Sequence, residues 1–153
     1  MFVGAKGFDR IAWAGAMLFL AGTVALMGII TAEALYPGYN TADNMISDLG
    51  ATEPPNSIIV QPSSNIFSAS MALCGLLVIG ATLLLHRRHS KWSVTLPMAA
   101  FGVGVLGVGI FNGSWGTVHA LFAMTTFISG GIAAVMTFRI VQAPFRFVTV
   151  ALG

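Results

Sequence analysis

Glu33, Asp48 and His119 of this 153-residue chain have the types needed for acid–base or metal chemistry and lie apart in sequence from every lysine and arginine. Two carboxylates and an imidazole are the donor types of a hydrolytic zinc site, which commonly uses three protein ligands and keeps one position open. The segments around them supply Asn44, Ser47, Asn65, Asn112 and Trp115, side chains suited to contacting a ligand or a partner. As a catalytic set the group is incomplete. One histidine with dispersed acids has no metal-ligand spacing, and Ser47 beside Asp48 does not place an imidazole between hydroxyl and carboxylate as a serine relay requires. No catalytic residue, metal ligand set or cofactor is therefore assigned, and Asp48, His119 and Glu33 stand as the catalytic residues only of an alternative reading.

The elements that must position these groups follow from composition. Apolar residues make up 56% of the chain and charged residues 8%, far below the quarter or so that is charged in a soluble domain. A span of the bilayer core takes about 20 mainly apolar residues at 1.5 Å rise each. Four segments qualify: 11–34, 66–85, 92–111 and 118–138. The expected fold is an all-α, multi-span transmembrane bundle forming a single domain over 1–153. The first segment carries Glu33 at its far end and lacks a small-residue cleavage site, so it reads as a retained span, not a signal peptide. The apolar run that starts again near Phe147 would open a further span if the natural chain continues.

Charge orients the bundle. All seven basic residues, Lys6, Arg10, Arg87, Arg88, Lys91, Arg139 and Arg146, fall before the first span, between the second and third, or after the fourth. The positive-inside rule then puts both visible ends in the cytoplasm of a cell-membrane protein. Four of the five acids, Glu33, Asp43, Asp48 and Glu53, fall on the outer side. No basic stripe suggests nucleic acid. His119 is the one side chain expected on the acidic side that can become a cation.

Small residues fill the spans. Gly102, Gly104, Gly107 and Gly109 in the third and Thr126, Gly130 and Ala134 in the fourth predict close helix packing. The run GVGVLGVG mimics a dinucleotide fingerprint, but no strand precedes it and it lies inside a span. Pro97 near the start of the third span removes a donor where this costs least, with Ser93 as a helper at that end. His86 and His89 lie in a short basic connection without carboxylate or thiolate, so they are read as structural. Cys74, the only cysteine, lies in the second span and has no partner for a disulfide within one chain.

The outer loop, 36–63, is expected to carry a short helix over 42–49, capped by Thr41, closed by Gly50 and stopped by Pro54-Pro55. Met45, Ile46 and Leu49 would form its apolar face, with Asn44, Ser47 and Asp48 opposite. It is predicted to lie over the mouth of the bundle. Ser63 or Ser64 would cap the second span. In the next outer loop Asn112-Gly113-Ser114 fits a glycosylation acceptor in form only, and Trp115 reads as an interfacial anchor. Glu33, Asp48, Asn65, Asn112 and His119 would share one depth at this mouth.

The stretch YPGYNTADNMISDLGA resembles a family of uncharacterised prokaryotic membrane proteins, the domain-of-unknown-function group numbered 998, in Pro37, Gly38, Ile46, Ser47, Asp48, Leu49 and Gly50. GSWGTVHALFAMTTF, bearing His119, is similar to that family's start of the fourth span. The resemblance implies about six spans, two more than are visible, and brings no activity. The expected function is a non-catalytic multi-pass protein whose outer loop caps a polar mouth and contacts membrane lipid, a small ligand, a second copy or another membrane subunit. The alternatives are a metal-assisted intramembrane hydrolase of a lipid-like substrate and a small transporter.

Overall fold

The computed structural model describes residues 9–153, and Lys6, counted above among the cytoplasmic anchors, lies outside them. The chain is all-helical, with no strand among the described residues. Helix α1 spans Arg10–Ala34, α2 Ser63–His89, α3 Trp92–Ile110, α4 Thr117–Met136 and α5 Phe145–Leu152. Single 3₁₀ turns sit at Ile46–Leu49, Gly113–Trp115 and Thr137–Arg139, the last prolonging α4. The first four long helices are long and apolar enough to cross a bilayer, and the chain is a membrane protein.

In lipid each polar group must be satisfied within the helix. The hydroxyls of Thr23, Thr31, Thr82 and Thr125 meet this demand by donating to the carbonyl four residues earlier. Asp9 opens α1 by accepting from the Ile11 amide, and Ser90 closes α2 in the left-handed conformation at φ 50°. The expectation for Ser93 is corrected: α3 starts at Lys91 without a side-chain cap, and the Ser93 hydroxyl accepts from the Arg139 guanidinium at 3.1 Å.

The helices run up and down, and their main contacts join chain neighbours, α1 to α2, α2 to α3 and α3 to α4, with α5 laid against α4. Helices α2 and α3 consequently occupy the middle and α1 and α4 the flanks. Backbone approach sets the α2–α3 distance, since a Cβ on Gly75 would lie 2.5 Å from the Leu106 nitrogen and 2.7 Å from the Gly102 carbonyl oxygen. The core along this row joins Ala14, Ala21, Phe67, Cys74, Val78 and Val105. Leu49, from the loop after α1, belongs to the same cluster. One end of the bundle is therefore plugged by that loop, and the other carries Arg10, Arg87, Arg88, Lys91 and Arg139.

A candidate capped mouth at the loop end of the bundle

The chain leaves α1 through Tyr36 and Tyr39, whose rings lie 5.7 Å apart. The helix expected over 42–49 is shorter, and asparagine chemistry explains it. Asn40 accepts through its side chain from the Ala42 amide, and its own amide donates to the Asn44 side chain at 3.1 Å. These local bonds hold 40–44 as a turn and compete with helix formation. The 3₁₀ turn begins only at Ile46, after Met45, and Thr41 caps nothing there. Asp48 does the capping: its carboxylate reaches back to accept from the Met45 amide at 2.9 Å. Tyr39 donates its hydroxyl to the Met45 carbonyl at 3.3 Å, so the peptide groups on both sides of Met45 are held.

The apolar face expected from Met45, Ile46 and Leu49 is split. Leu49 is fully buried, whereas Met45 and Ile46 are more than half exposed, because a 3₁₀ turn of four residues cannot align them as 3.6 residues per turn would. Leu49, Gly50 and Ala51 form the inward edge, with Gly50 lying against the Phe67 ring of α2.

The first turn of α2 fixes this edge. Ser63 donates to the Leu49 carbonyl at 3.2 Å and Ser64 to the Gly50 carbonyl at 2.5 Å, both buried. Neither serine caps its own helix, whose cap position is Pro62. No other donor to these two carbonyls occurs among the described residues. Ser63 and Ser64 thus tie the loop to the bundle by satisfying acceptors that the end of the 3₁₀ turn leaves open. The α3–α4 connection closes the plug from the far side, because Gly113 packs against the Ala51 carbonyl so tightly that a Cβ would overlap it.

The remaining polar residues are placed as follows. Asn112 accepts through its side chain from the amide and the hydroxyl of Ser114. His119 is buried at the start of α4, and its Nδ1 lies 2.7 Å from the Phe111 carbonyl. A carbonyl only accepts, so Nδ1 carries the proton and the Nε2 lone pair stays unprotonated in the neutral ring. Asn65 is exposed and accepts from Gln61 at 3.2 Å. Ser47 supplies its carbonyl to the Gly50 and Ala51 amides. Trp115 is exposed and lies edge-on to Phe111. Asn44 serves the turn already described.

Glu33, half-buried near the end of α1, and Asp48 both act on Tyr39. The phenol is raised above its ordinary value of 10.0, first by partial burial and then by the negative charges of Glu33 and Asp48. Tyr39 therefore joins the two carboxylates that sequence reading singled out, while His119 bonds to the end of α3. Among the described residues no three His, Cys, Asp or Glu side chains are placed to share an ion. The bonds of Asp48, Tyr39, Ser63 and Ser64 hold the loop on the bundle.

The parts missed in sequence were Tyr39 and the Ser63-Ser64 pair. Tyr39 lies three residues after Tyr36 around a Pro-Gly turn, a spacing that brings both rings together. The serines carried a signal, two adjacent hydroxyls at a helix start, which fitted a cap and a tether equally well.

Against known families, the chain matches from 13 to 153 the model described as "Protein of unknown function (DUF998)". No curated protein matches it, and no solved structure does.

Proposed function

The chain belongs to the DUF998 family of membrane proteins of unknown function, and we propose from that premise that it is a non-catalytic multi-pass protein of the cell membrane. It works by association within the bilayer, with lipid or with another membrane subunit, and loop 36–63 seals its outward mouth. The observation that carries this reading is how the polar groups of the mouth are used. Asp48, Ser63, Ser64, Asn112 and His119 each bond to backbone of the cap or of the α3–α4 connection. Catalytic groups instead converge on a site where a reacting atom can sit. The basic residues at the opposite end favour a cytoplasmic location for it, with the cap outside.

Native mass spectrometry of the protein released from mild detergent tests the association. Retained lipid, a second copy or a bound subunit is expected, and a bare monomer at every detergent condition would overturn the reading. Orientation is tested separately in a Cys74→Ser background. An impermeant thiol reagent applied to intact cells should label Thr52→Cys and spare Ser90→Cys, and the reverse pattern would invert the topology.

A further inference from the structure

The basic end holds an arrangement that the capped mouth does not explain. After α4 the chain turns at Pro144, and α5 comes back along α4 so that Gly153 reaches Gly131, Ala134 and Val135. Between the two helices runs a groove of about 440 Å³ whose apolar walls include Val135, Met136, Val150 and Ala151. Its lining also includes Arg139, Phe138 and Phe147. The Arg146 guanidinium lies over both of these rings, 5.0 Å from the centroid of Phe138 and 4.9 Å from that of Phe147. Its Nε is buried without a hydrogen-bond partner.

Two arginines thus stand beside an apolar groove with their positive charge largely unanswered. Arg139 spends one nitrogen on Ser93, and Lys91 adds a third cation by donating to the Arg139 carbonyl at 3.1 Å. Neither arginine has an ion pair among the described residues. The one acid near this end, Asp9, caps α1, on the opposite flank of the row. Helix α4 is also the span least covered by protein, with 11% of its apolar window buried against 44% for α3.

We propose that this groove binds an anionic phospholipid of the leaflet at the basic end. One acyl chain lies between α4 and α5, and the headgroup phosphate is held by Arg139 and Arg146. Charge complementarity selects the occupant: stacking on two rings fixes the planar guanidinium and leaves its terminal nitrogens to a phosphate, which pairs with that fork in bidentate fashion. The apolar walls select a lipid over a free anion, and basic pockets between spans are a recurring headgroup site. The assignment is independent of what the capped mouth contacts.

The test uses the full chain reconstituted in phosphatidylcholine vesicles containing phosphatidylglycerol. Each lipid in turn carries a photoactivatable group on its acyl chain, and cross-linked peptides are mapped. The phosphatidylglycerol probe should label the α4–α5 peptides in preference to the phosphatidylcholine probe. Arg139→Gln and Arg146→Gln should each lower that preference roughly five-fold. Arg146→Lys, which keeps the charge, should lower it less and covers the case in which Arg146→Gln fails to fold. Arg87→Gln/Arg88→Gln, at the same end but outside the groove, should leave it unchanged. Equal labelling by the two probes, an equal loss in the Arg87/Arg88 variant, or displacement by excess inorganic phosphate would each overturn the proposal. Absence of labelling because another protein segment covers the groove would do so too.

Discussion

Replacing Ser64 by alanine isolates the tether between loop and bundle, because the change removes one hydroxyl and leaves the Cβ in place. The Gly50 carbonyl then loses the only donor it has among the described residues, in a place where Ser64 is 3% exposed and water is excluded. An orphaned buried acceptor costs about 1–3 kcal/mol, against about 1 kcal/mol net for an average hydrogen bond. At 0.59 kcal/mol for RT, this multiplies the population of the undocked loop by about 5 to about 150. The helical hydroxyl of Thr82 is the internal comparison. It donates to the Val78 carbonyl at 2.7 Å, an oxygen that the helix ladder already serves, so Thr82→Val removes a bond without creating an orphan. It should change stability by less than about a third of the Ser64 effect. Hydrogen exchange in nanodiscs reads the difference at the Gly50 and Ala51 amides, which both donate to the Ser47 carbonyl. In Ser64→Ala these two amides should exchange faster by that factor, with the middle of α2 unaffected. Unchanged exchange at Gly50 and Ala51 would refute the claim that the serine holds the cap.

Four further outcomes follow from the same geometry. Gly113→Ala puts a methyl into the Ala51 carbonyl and should undock the α3–α4 connection, seen as protease cleavage after the loop becomes accessible. Gly75→Ala places a carbon 2.5 Å from backbone and should force α2 and α3 apart, with a loss in the range of about 1–3 kcal/mol for overpacking, measured by denaturant titration in bicelles. Tyr39 has a phenol raised in the folded state, so its share of stability is complete below its ordinary value of 10.0 and is lost as pH climbs through the folded value. Alkaline unfolding should therefore lose one component in Tyr39→Phe. Asp48→Asn should move the Tyr39 phenol back toward 10.0 while keeping an oxygen that can accept from the Met45 amide, as tyrosinate absorbance in a Tyr36→Phe background would report.

Why some of this was legible in sequence and some was not comes down to which residues act locally. Hydropathy identifies a span by summing over about 20 residues, so a single polar residue shifts an end by a turn at most. That is why α2 begins at Ser63 and runs to His89 where apolarity alone indicates 66–85. Its serines and its basic tail satisfy themselves outside the apolar window. The loop turn depended on a competition between two local chemistries. Thr41 offered a helix cap, while Asn40 and Asn44 offered each other a closed turn, and only the geometry shows that the asparagines prevail. The mouth lay further out of reach, because its residues come from helices whose rotation no amphipathic stripe sets. In lipid both faces of a span are apolar, so rotation is decided by where glycines let backbones touch, as Gly75 and Gly102 do. Asp48 and Tyr39 meet through the local bonds of the loop at Met45, and His119 bonds to the end of α3. Sequence alone makes an acid and a histidine on the same side of a membrane look like reaction partners. With the helices packed, the carboxylate of Asp48 holds a peptide and the imidazole of His119 ties the start of α4 to the carbonyl of Phe111.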